Sequence, residues 1–82
     1  MAATQKDLIQ WFDEGVELGA THMVVICDTF DYDDFPVYVM PGQDARRVAE
    51  EKSSEPLARL MEVFNLSMSK NDQMSSGRAF NY

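Results

Sequence analysis

Between Thr4 and Gly19 the apolar residues recur at the spacing of one helical face, as Leu8, Trp11, Phe12, Gly15 and Val16, while Lys6, Asp13, Glu14 and Glu17 fall largely elsewhere. This pattern predicts an amphipathic N-terminal helix. Thr4 and Asp7 have the spacing of a capping box, with aspartate in place of the usual glutamate or glutamine. Gly19 supplies the left-handed residue that ends such a helix. Gly15, set within the apolar face, predicts close approach of the helix backbone to a sheet.

From Thr21 to Phe30 the chain becomes β-branched and apolar, with Met23, Val25 and Cys27 on one side of a strand and Val24 and Ile26 on the other. Both faces of that strand are expected to be covered or half covered. Val37 to Met40 reads as a second strand with Pro36 at its start, and the two should pair as an antiparallel hairpin. Phe30 and Phe35 flank the turn and are expected to meet across it, holding Asp31 to Asp34 outward. Pro41 and Gly42 break the strand, after which Gln43 or Asp44 caps a helix through Ala45, Val48, Ala49 and Lys52. Residues 57–66 fit either a helix or a strand. A helical turn followed by a third strand from about Met61 to Leu66 fits better, because Val63 and Phe64 stand in an alternating segment. Ser69 and Asp72 repeat the capping spacing and open a short helix through Met74, and the rings of Phe80 and Tyr82 are expected to fold back on the domain. The expected fold is therefore α+β in a single domain, residues 1–82, with an N-terminal helix on a small antiparallel sheet and additional short helices. Its expected core is Leu8, Trp11, Phe12, Val16, Val25, Val39, Leu60 and Phe64.

Composition narrows the function classes. Eighty-two residues allow only one modest core, and the nine aromatic residues supply its large side chains. Fourteen acidic against seven basic residues give a formal charge of −7, which opposes a polyphosphate backbone, and the basic residues are scattered. Direct nucleic-acid binding is not expected. The absence of a long apolar run and of a secretory signal pattern makes the expectation a cytoplasmic protein with no membrane partner. A single cysteine, Cys27, allows no internal disulfide. The methionines Met23, Met40, Met61, Met68 and Met74 read as flexible core filler.

The segment Cys27 to Pro36 sets four carboxylates and three aromatic rings between two strands. Such a turn has three uses: a solvated connection, a cation site, or a docking surface for a basic protein. The cation reading lacks the EF-hand pattern, because counting from Asp31 places Pro36 where glycine belongs and Gly42 where a bidentate glutamate belongs. Cys27 and His22 resemble a nucleophile and base, yet at this separation on one strand they point to opposite faces. No metal ligand set, catalytic residue, enzyme activity or cofactor is assigned. The partner-binding residues are taken as Asp28, Asp31, Tyr32, Asp33, Asp34 and Phe35.

The runs Gly19 to Tyr32, Phe35 to Val39 and Met61 to Ser67, with the ending Arg78-Ala79-Phe80, resemble small uncharacterised proteins of bacteriophage and prophage type, found also in actinobacterial and proteobacterial genomes. The resemblance implies a phage or mobile-element setting and carries over no functional residue. The functional expectation is a small acidic protein-interaction module, a modulator or inhibitor of a host protein with a basic surface. The alternatives are a homo-oligomeric accessory or structural protein and a divalent-cation-binding domain.

Overall fold

The computed structural model describes residues 3–75 and 77–82. The elements run α1 (Gln5–Leu18), β1 (His22–Asp28), β2 (Asp33–Val39), α2 (Ala45–Ser53), β3 (Ala58–Asn65) and α3 (Lys70–Ser75). The three strands form one antiparallel sheet in the order β2-β1-β3, so the most apolar strand is central. Met23 through Cys27 are all buried there.

Strand alternation divides that burial between two layers. Val24 and Ile26 join Val39 and Val63 under Ala45 and Ala49 of α2. Met23 and Val25 join Phe64 and Ala79 under Phe12 of α1, with Leu8, Trp11 and Met74 completing that side. Helices thus cover both faces of the sheet.

Local chemistry sets the helix ends. Thr4 and Asp7 form the reciprocal capping box, Gly19 adopts φ 80°, and Asp44 caps α2 by accepting from the amides of Arg46 and Arg47. Gly15 lies where a Cβ would stand 2.7 Å from Tyr38 Cε1 and 2.8 Å from Leu66 Cδ1. This close approach lets the Tyr38 hydroxyl donate to the Trp11 carbonyl at 2.7 Å. Phe12 meets Phe64 edge to face, with ring centroids 6.4 Å apart.

A bulge in β3 sets Glu62 opposite Val25 and Leu60 opposite Ile26, leaving Met61 as the extra residue. The shift sends Leu60 to the α2 side, while Glu62, in register with Phe64, faces the α1 side. The C-terminal segment shields the outer edge of β3: the Val63 amide donates to Ala79 O at 2.8 Å and the Asn81 amide to Val63 O at 2.9 Å. The Arg46 guanidinium lies 4.3 Å from the centre of the Tyr82 ring, so that ring folds back onto α2.

Several expectations need correction. β3 begins at Ala58, because pairing with β1 extends it beyond the segment whose alternation marked it as a strand. Pro36 lies within β2, opposite Val25, where its missing donor is tolerated on an edge strand. Phe35 faces Ile26 and does not meet Phe30, which sits at the tip of the turn. Val16 is exposed because the buried stripe of α1 runs through Phe12 and Gly15. Met40 and Met68 are exposed as well. Among the described residues, no helix is long and apolar enough to cross a membrane.

Candidate functional site: the hairpin end of the sheet

The β1–β2 connection is shorter than the acidic segment. Asp28 pairs opposite Asp33 and Cys27 opposite Asp34, so the turn consists of residues 29–32 and both Asp33 and Asp34 belong to β2. Two aspartates build this turn. Asp28 Oδ1 accepts from the Phe30 amide at 2.9 Å and Asp31 Oδ1 from the Asp33 amide at 3.1 Å. The Tyr32 amide donates to Asp28 O at 2.6 Å, closing a loop in which Tyr32 takes φ 59°.

A second turn, between α2 and β3, lies against the first. The Thr29 amide donates to Leu57 O at 2.7 Å, and the Ala58 amide to Glu55 O at 3.2 Å. Leu57 takes φ 64°. Tyr32 and Leu57 are the only non-glycine residues with positive φ among the described residues, and they stand on adjoining turns. An L residue held left-handed costs about 1–2 kcal/mol, so both turns store strain at one end of the sheet.

Large apolar side chains stand outward there. Phe30 is 79% exposed, Tyr32 67%, Leu57 57% and Phe35 43%. Between the turns lies a shallow depression of about 110 Å³ lined by Phe35, Pro56, Leu57 and Ala58, with Asp28 and Glu55 at its border. Asp31 and Asp33 are also exposed at this end, and Arg59 stands opposite Cys27 on β3.

Asp34 departs from the expected outward group. It alternates to the α1 side of β2, where its Oδ2 accepts from the Ala3 amide at 2.9 Å and ties the chain ahead of α1 to the sheet. Its Oδ1 is shut away from solvent and has no hydrogen-bond partner among the described residues. Burial, followed by the neighbouring Asp34 carboxylate, pushes the Cys27 thiol up, so it stays protonated and poorly nucleophilic at neutral pH. His22 stands at the other end of β1, with Nδ1 2.8 Å from Thr21 Oγ1 and Nε2 2.8 Å from Tyr82 O. The strand therefore separates His22 from Cys27.

Among the described residues, no group of three or more His, Cys, Asp or Glu side chains is placed to hold a metal ion. Of the six residues assigned to partner binding, Asp28, Asp31, Tyr32, Asp33 and Phe35 gather at the hairpin end and Asp34 turns inward. Sequence reasoning missed the α2–β3 turn as part of this surface. Pro56 beside Leu57 marks a turn bearing a large apolar residue, but nothing in the sequence places that turn against the hairpin. Comparison with protein-family models, with curated proteins and with solved structures finds no match for this chain.

Proposed function

We propose that this protein acts by binding another protein through the hairpin end of its sheet. Phe30, Tyr32 and Leu57 serve as anchors, and Asp28, Asp31, Asp33 and Glu55 form a charged rim. The partner that fits carries an apolar recess bordered by Lys and Arg side chains, because aromatic anchors inside a charged rim are the usual anatomy of a specific interface. In the phage or mobile-element setting that the sequence resemblance implies, this partner is a host protein, and occupying its basic surface modulates or inhibits it.

The observation that carries the reading is the coincidence of four exposed large side chains with the two left-handed non-glycine residues. A merely solvated turn has no need of either.

The reading is tested by capturing partners with Phe30→Ser, Leu57→Ser and the Asp31→Asn/Asp33→Asn pair in parallel with the unaltered protein. The expected outcome is one defined partner with a basic surface, lost with either apolar substitution and weakened by the charge pair. Capture that all variants retain would contradict the reading.

Self-association through the sheet edge is the weaker alternative. β2 is the outer strand on one side of the sheet, but Pro36 removes an amide from its middle and interrupts the template that another strand would need.

A further inference from the structure

On the α1 side of the sheet, away from the turns described above, α1, β3 and α3 enclose a cleft of about 210 Å³. Leu8, Phe64 and Met74 supply an apolar wall, and Gln5, Glu62 and Gln73 supply polar groups. That volume is well short of a drug-sized pocket. It suits a ligand of only a few heavy atoms.

Two of the polar groups differ in how far the protein satisfies them. Gln73 is buried and fully engaged: its Oε1 accepts from the Asn65 amide at 2.8 Å and from Asn81 Nδ2 at 3.0 Å, while its Nε2 donates to Asn65 O at 2.9 Å. Glu62 has no such engagement. Its Oε2 is shut away from solvent and accepts no hydrogen bond among the described residues. A carboxylate oxygen in that position carries a desolvation cost. Arg78 offsets that cost only in part through its charge, and a donor that enters the cleft and meets the Glu62 carboxylate there would offset more of it.

We propose that this cleft is a binding site for a primary alkylammonium group, with the ammonium on the Glu62 carboxylate and its alkyl stem along Leu8, Phe64 and Met74. An ammonium supplies both charge and several N–H donors, and a short unbranched stem matches the narrow apolar wall. The same group occurs on a free small amine and on a lysine side chain. Burial pushes the Glu62 carboxyl up; among charged groups, Arg78 pulls it down and Asp34 pushes it further up. Binding should therefore weaken as pH falls through the raised Glu62 value, where the carboxyl takes a proton.

The test is a methyl NMR titration of the whole protein with n-butylammonium, following Met74 and Leu8. Saturable shifts confined to those methyls are expected, with a Kd on the order of 1–10 mM. Glu62→Gln should weaken binding by about tenfold or more, the loss of a charge-assisted hydrogen bond, while its spectrum reports an intact fold. Butan-1-ol, of similar shape and uncharged, should bind less tightly than the amine. A parallel titration with Nα-acetyl-lysine methylamide separates the sources: equal shifts point to a lysine presented on another chain, and shifts with butylammonium alone point to a free amine. The proposal is overturned if neither compound shifts these methyls, if shifts spread over all acidic surfaces, or if Glu62→Gln binds as well as the unaltered protein.

Discussion

The two ends of the sheet are built differently. Where β1 begins, neighbouring segments are bound to it: the Thr21 amide and hydroxyl donate to Val39 O at 2.7 and 3.2 Å, and the Leu66 amide donates to Thr21 O at 3.0 Å. The buried Gln73 amide there satisfies both backbone groups of Asn65. At the hairpin end the turns close on themselves and on each other, and the rings stand in solvent. Leu18, Met40 and Met68 are exposed near the first end too, but as aliphatic side chains with no left-handed non-glycine residue beside them. The first end is thus held by the segments around it, while the large side chains of the other end stand in solvent, where they can serve recognition.

That separation is most sharply tested at Gln73. Gln73→Ala leaves the amide and carbonyl of Asn65 without their partner, at about 1–3 kcal/mol for each unsatisfied buried group. A loss of about 2–4 kcal/mol is expected in denaturant unfolding, with no effect on hairpin-end binding in the surviving folded fraction. Gly15→Ala comes next. The new Cβ would press on Tyr38 and Leu66, and overpacking of about 1–3 kcal/mol exceeds the helix-propensity gain of up to ~1 kcal/mol. A melt unchanged by this substitution would show that α1 sits farther from the sheet.

Glu62 gives a pH-dependent effect of smaller size. The folded carboxyl holds its proton more tightly than in the unfolded chain, chiefly because of burial. Stability contributed by the protonated form is therefore present below the unfolded glutamate value, about 4.3, and is lost as pH rises through the raised folded value. Glu62→Gln removes this loss. Its melting temperature is expected above that of the unaltered protein at neutral pH, with the gap narrowing in acid.

The helices, the α+β class and the pairing of β1 with β2 were legible because capping residues and hydrophobic period agree locally, as at Thr4, Asp7, Gly19 and Asp44. The errors arose where a distant contact decides. Pro36 looked like the start of a strand, but pairing with β1 draws Asp33 and Asp34 into β2 and turns Asp34 toward Ala3. The left-handed Leu57 and the depression beside it depend on α2 bringing the second turn against the first, which no local pattern encodes. Glu62 shares the α1 side with Phe64 by simple alternation, but the cleft it lines is closed by α1 and α3, which no local pattern encodes.

At the hairpin end, stability changes are expected to be small and binding changes large. Leu57→Gly relieves a left-handed cost of about 1–2 kcal/mol and adds about 0.5–1 kcal/mol of unfolded-chain entropy, so stability should hold or rise slightly. Partner binding should be lost. Asp31→Asn with Asp33→Asn keeps side chains able to form the turn and should shift stability by less than about 0.5 kcal/mol. Its effect on binding should shrink as salt rises, because charges at the rim are screened within about 8 Å near physiological ionic strength.

The most direct measurement places a photo-crosslinking phenylalanine analogue at Phe30, Leu57 or Met68 in turn and maps adducts formed in the native host extract by mass spectrometry. The expected result is a single partner joined from Phe30 and Leu57 through a surface rich in Lys and Arg, with no adduct from Met68. The same partner captured equally from Met68, or no defined adduct from either hairpin-end position, would contradict a docking role for this end of the sheet.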